Sequence, residues 1–166
     1  MSFKIKITEK IIGVSLISLS CLFLYYSIIG FNQILKLINS AGEEISILKV
    51  IKNYHYPFIV PILGIVSGTL LLFRKRIGWI GSVIISFTNG IVIAILLLKS
   101  FNNENLDEEM TNSEIIIFSL IALVFLIFGI TLLNKSFREK YQPTKYTWSI
   151  ISIIILMLCI DKILIE

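Results

Sequence analysis

Residues 57–98 read PFIVPILGIVSGTLLLF, then RKR, then IGWIGSVIISFTNGIVIAILLL. Two apolar runs, Pro57–Phe73 and Ile77–Leu98, are parted only by Arg74, Lys75 and Arg76. Neither run alternates polar and apolar residues, as a barrel strand would over about ten positions. In lipid an unpaired backbone N–H or C=O is too costly to leave exposed, so runs of this kind must be helical. Three residues leave room only for a tight antiparallel return. The stretch therefore predicts a helical hairpin with a basic corner.

Similar runs lie on both sides. Ile11–Ile29 precedes the hairpin, and Ile115–Leu133 and Thr147–Ile165 follow it. At about 1.5 Å per residue, a run of roughly 20 residues crosses a hydrocarbon core about 30 Å thick. The expected fold is all-α: a polytopic integral membrane helical bundle of five transmembrane helices. Its spans are 11–29, 57–73, 77–98, 115–133 and 147–165, in a single domain covering 1–166. The fifth is the weakest, because its uninterrupted apolar core, Trp148–Ile160, has only thirteen residues before Asp161 and Lys162. If it does not cross, four spans leave both termini on one side.

Composition agrees. Of 166 residues 56% are hydrophobic and 16% charged, against about 25% charged in ordinary soluble domains. A soluble globule of this size cannot hide so much apolar surface. Isoleucine supplies 36 residues and alanine three. The Ile, Lys and Asn content fits AT-rich coding and a bacterial source. The net charge of +4 is explained by orientation in the membrane. No basic face interleaved with aromatics points to nucleic acid.

Orientation follows from the basic residues. With the N-terminus inside, the inner segments hold Lys4, Lys6, Lys10, Arg74, Lys75, Arg76, Lys135, Arg138, Lys140 and Lys145, which is ten. The outer side holds Lys36, Lys49, Lys52, Lys99 and Lys162, which is five. The topology signal thus rests on Arg74, Lys75, Arg76, Lys135, Arg138 and Lys140. It predicts a cytoplasmic N-terminus, with the chain in a bacterial inner or plasma membrane. The basic inner loop 134–146 also reads as a contact to anionic lipid. The first run has no small-x-small cleavage site and continues past Cys21, so it reads as an uncleaved span.

Two outer loops are expected. Loop 30–56 carries Ile34, Leu35, Leu37, Ile38 and further apolar residues, too many for a solvated tether. It either lies on the membrane as a short amphipathic helix or packs over the bundle. Loop 99–114 is acidic and Asn-rich. Its Asp107-Glu108-Glu109 lacks the alternating ligands and glycine of a calcium loop. Thr111-Asn112-Ser113-Glu114 reads as a capping box opening the fourth span. Pro57 suits a first helical turn, and Pro61, one turn on, is positioned to bend it. Tyr25, Tyr26, Tyr54, Tyr56, Trp79, Tyr146 and Trp148 are placed as an interfacial aromatic belt.

The clearest packing signal is Gly78, Ser82, Ser86 and Gly90, recurring every four residues. Such a stripe lets helix backbones approach closely where no hydrophobic drive operates. Gly64 and Gly68 add a GxxxG. These six either pack within the chain or dock a partner. Asn89 and Asp161 are the candidate intramembrane polar site. Either reading is open: a solute path, or an interhelical hydrogen bond and a headgroup contact. His55, the only histidine, has no second ligand at metal spacing and reads as an interface anchor. Cys21 and Cys159 show no CxxC and read as small core hydrophobes.

A faint repeat pairs Gly68-Thr69-Leu70-Leu71-Leu72 with Gly129-Ile130-Thr131-Leu132-Leu133, each running into a basic turn and then a tryptophan. Any pair of inward-turning hairpins would look similar. No catalytic motif, cofactor-binding motif or metal-ligand set is legible. The expected function is a non-catalytic accessory, scaffold or protective (immunity-like) interaction protein. Its partners are the lipid bilayer and another membrane protein or a second copy of itself. The alternative is a small oligomeric transporter or channel subunit.

Overall fold

The computed structural model describes residues 3–41, 50, 54–101 and 111–165. Among them the chain forms six helices and no strand. They are α1 (Phe3–Ala41), α2 (Tyr56–Leu72), α3 (Arg76–Phe101), α4 (Asn112–Leu132), α5 (Lys135–Tyr141) and α6 (Lys145–Ile165). The fold is an all-α helical bundle, and the five apolar runs coincide with α1, α2, α3, α4 and α6.

Three helices, α1, α3 and α4, are long and apolar enough to cross a membrane on their own. A fourth is added if α5 and α6, bent by 112° at their junction, count as one broken span. The chemistry of α5 separates the two. Lys135, Arg138, Glu139 and Lys140 are four charges in seven residues, and each Lys or Arg at a bilayer centre costs about 2.5–3.5 kcal/mol. The apolar part of that pair is therefore α6. Helix α2, with 17 residues, stands at the lower limit for a span.

Helix α1 departs from the sequence expectation. Residues 30–41, read as the start of an outer loop, continue the first helix without a break. Gly30 does not end it, because the apolar period resumes at Phe31, Ile34, Leu35 and Ile38, all half-buried. At the third connection α3 likewise runs to Phe101, two residues past Lys99. The remainder of both loops, with Asp107-Glu108-Glu109, lies outside the described residues.

The chain divides into two compact units. One holds residues 1–81 with 165–166, the other 82–164, and the boundary falls inside α3.

In the first unit α1 and α2 lie along each other. Glu9, Ile12, Gly13, Leu16 and Ser20 are buried, a 3–4 period that forms one helix face. The crossing is made by two glycines. A Cβ on Gly68 would stand 2.8 Å from the Gly13 carbonyl oxygen, and one on Gly13 would stand 3.1 Å from that of Gly68. At the top of the pair the Ser27 hydroxyl donates to the Pro57 carbonyl at 2.9 Å. Phe31, Tyr54 and Phe58 form a ring cluster beside it.

The α2–α3 corner is as tight as the sequence predicted. Lys75 N–H donates to the Leu70 carbonyl at 2.9 Å and Arg74 N–H to that of Leu71 at 2.8 Å, a Schellman closure. Arg74 takes the left-handed conformation, φ 57°, usually given to glycine. Past the corner Gly78 meets the backbone of Leu70 and Leu71 so closely that any Cβ would overlap both, and Gly81 similarly meets Ser67.

In the second unit α4 opens with the expected capping box. Thr111 N–H donates to Glu114 Oε2 at 2.8 Å, and Glu114 N–H donates to Thr111 Oγ1 at 3.3 Å. Here Gly90 lies under the Leu126 side chain and Gly129 under the Phe87 ring. Helix α5 ends at Gln142, φ 45°. Helix α6 then opens on a second reciprocal cap: Thr144 N–H donates to Thr147 Oγ1 at 3.2 Å, and Thr147 N–H to Thr144 Oγ1 at 3.3 Å.

Candidate functional site

Polar side chains gather in two places, one in each unit. The first was not foreseen. Glu9, on the inward face of α1, is 1% exposed. Its Oε2 stands 3.8 Å from Arg74 Nε, close enough for an ion pair but too long for a hydrogen bond. The left-handed turn at Arg74 directs that side chain back toward α1. The Arg74 side chain remains 43% exposed, so the pair joins a buried carboxylate to a half-solvated guanidinium. Removing the cation from beside a buried carboxylate is costlier than forgoing such a pair altogether. A sequence signal existed: Glu9 is the single acid among Lys4, Lys6 and Lys10, immediately before the apolar run.

The second place is the centre of α3. From Ser82 to Ile93 this helix is buried on nearly all sides. Ser86 Oγ and Thr88 Oγ1 are fully buried and have no hydrogen-bond partner among the described residues. Helical hydroxyls ordinarily bond back to the carbonyl four residues earlier, as Thr69 does to Ile65 at 2.8 Å. At about 100° per residue, Ser86 and Thr88 point to nearly opposite sides of the helix. Asn89, half-buried, lies within about 60° of Ser86. Asp161 in α6 is half-buried as well.

The six residues of the predicted packing or docking face are all buried: Gly64, Gly68, Gly78, Ser82, Ser86 and Gly90. The stripe does not meet a single neighbour. Gly78 is filled by α2 and Gly90 by α4, while Gly68 meets α1. A docked partner would have to displace the chain's own helices from these positions.

Other expectations are corrected. Trp79, placed in the aromatic belt, is fully buried. Its N–H donates to the Lys75 carbonyl at 3.2 Å in the first turn of α3, and the ring is covered. Cys21, read as a core residue, is exposed on α1, while Cys159 is buried. Tyr25, Tyr26 and Tyr146 are exposed. His55 is half-buried next to the start of α2 and makes no side-chain cap bond there. Of the basic topology residues, Arg74, Lys75, Arg76, Lys135 and Arg138 are exposed and Lys140 is half-buried. No group of three or more His, Cys, Asp or Glu that could hold a metal occurs among the described residues.

No family model, curated protein or solved structure matches the chain. What the protein does has to be argued from its own geometry.

Proposed function

We propose that the chain is a non-catalytic membrane interaction protein: an accessory, scaffold or protective (immunity-like) subunit of a bacterial inner or plasma membrane. The observation that carries this reading is the length of α1. Its 39 residues extend about 58 Å, nearly twice a hydrocarbon core of about 30 Å. The Ser27–Pro57 hydrogen bond and the start of α2 mark one edge of the apolar layer, and residues 30–41 continue past it. That extension has two faces. Phe31, Ile34, Leu35 and Ile38 are half-buried, while Asn32, Gln33, Lys36, Leu37 and Ser40 are exposed. A rigid helix leaving the membrane with an exposed leucine in a polar face suits a protein that holds another one. The partner is a second membrane protein or another copy of the chain, and no nucleic acid is implied.

The test is Leu37→Glu in the full chain. Leu37 is 68% exposed, so the change should leave thermal unfolding in detergent unaltered and remove a stoichiometric companion, or the self-association, found with the wild type. If wild type purifies alone as a monomer, the reading fails. Ser86→Ile, which the sequence alone would recommend, is the wrong probe because Ser86 is fully buried.

A second reading, a small oligomeric transporter or channel subunit, is favoured by the unpaired hydroxyls of Ser86 and Thr88 beside Asn89. It predicts that Asn89→Leu abolishes solute flux in vesicles while the protein still folds.

A further inference from the structure

Helix α5 turns back through 112° from α6. If α6, the apolar part of this pair, is what crosses the bilayer, α5 lies close to the membrane plane. At about 100° per residue its side chains fall into three sectors. Phe137 and Tyr141, one turn apart, are buried. Arg138 stands about 100° to one side of Phe137, and Lys140 about 60° to the other. Lys135 and Glu139 occupy the far side, exposed and paired with each other at 3.8 Å. The acid is thus turned away and neutralised by its own neighbour, and the two other cations flank the apolar sector.

Surface-lying helices carry their basic residues in this position, where long stems run along apolar surface and the charged heads reach phosphates. The Lys140 ammonium lies over the Tyr141 ring, its Nζ 4.7 Å from the ring centre, at the border of the apolar sector. The corner is also held firmly. Gln142 N–H donates to the Arg138 carbonyl at 2.8 Å, and the Thr144–Thr147 cap fixes the start of α6. Fixed cations lose little freedom when an anion arrives, which favours binding.

We propose that α5 is a surface foot that binds the headgroups of anionic phospholipids through Arg138 and Lys140. A topology signal needs only net positive charge on one side of the membrane. A foot needs these two positions, and that difference can be measured. It holds whether or not the chain has a protein partner.

The experiment uses the full chain in detergent, titrated with phosphatidylglycerol and, in parallel, with phosphatidylcholine. Lipid adducts are counted by native mass spectrometry. Each near-surface cation favours an anionic headgroup about fivefold. The double variant Arg138→Gln, Lys140→Gln should therefore bind phosphatidylglycerol about tenfold or more weakly, with phosphatidylcholine binding unchanged. Lys135→Gln also removes a positive charge, but from the far face, and should stay within about twofold of wild type. The proposal is overturned if wild type shows no preference for phosphatidylglycerol or if the double variant binds it as wild type does. It is equally overturned if Lys135→Gln weakens binding as much. Displacement of the lipid by inorganic phosphate at equal concentration would mark a free-anion site and would also refute it.

Discussion

The two units close their helices in different ways. In residues 3–81 several glycines meet backbone as well as side chains. Gly13 and Gly68 face each other across α1 and α2, and Gly78 rests on the main chain of Leu70 and Leu71. In residues 82–164 the glycines receive side chains instead: Gly90 takes the end of Leu126, and Gly129 the Phe87 ring. A side chain can change rotamer, whereas a helix backbone can move only as a body. The first unit should therefore be intolerant of added volume and the second adaptable.

The most severe test is Gly78→Ala. Its methyl group would overlap two backbone residues, and overpacking of this kind costs about 3 kcal/mol or more. Gly90→Ala presses on one flexible leucine and should cost about 1 kcal/mol. Thermal unfolding of both variants in the same detergent measures the gap, and equal losses would abolish the contrast drawn above. Next comes the corner of the first unit. Arg74→Ala removes the guanidinium facing the buried Glu9 and should cost about 2 kcal/mol, less than breaking a fully buried pair because Arg74 is half-solvated. Lys75→Ala, exposed and one residue on, should change little. Arg74→Gly is the sharper variant, since it relieves the left-handed backbone while losing the same pair. If it proves more stable than wild type by the full relief of that backbone, about 1 kcal/mol, the ion pair contributes nothing. In the second unit Gly129→Ala should be destabilising alone and largely rescued by Phe87→Leu, which vacates the space. Failure of the rescue would show that this unit is as rigid as the first. Thr144→Ala should cost about 1 kcal/mol through loss of the α6 cap, read in the same unfolding experiment.

Much of the frame was legible because hydropathy in lipid leaves few alternatives. Five apolar runs became five helices, the Arg74-Lys75-Arg76 corner became a tight turn, and Thr111 with Glu114 formed the expected capping box. What escaped depended on long-range partners. Nothing near Gly13 indicates that it will meet Gly68, and Glu9 is hidden among lysines that dominate its neighbourhood. The stripe of Gly78, Ser82, Ser86 and Gly90 was visible as a periodicity, but periodicity does not say which helix covers which residue. Trp79 was misplaced for the same reason: a tryptophan beside a basic turn fits a belt or a core equally well. The continuation of α1 past Gly30 is hard to read because Asn32, Gln33 and Lys36 interrupt the apolar run, although the 3–4 period persists at Phe31, Ile34, Leu35 and Ile38.

The two polar contacts between α1 and its neighbours also set a length. Ser27 meets Pro57 at one level and Glu9 meets Arg74 at another. These levels are eighteen residues apart on α1, or about 27 Å. Membranes differ in hydrocarbon thickness by several Å around an average of about 30 Å. A thicker layer would have to thin locally around the first unit or draw its polar contacts into lipid. Hydrophobic mismatch would then favour thinner membranes, or thinner regions of one membrane.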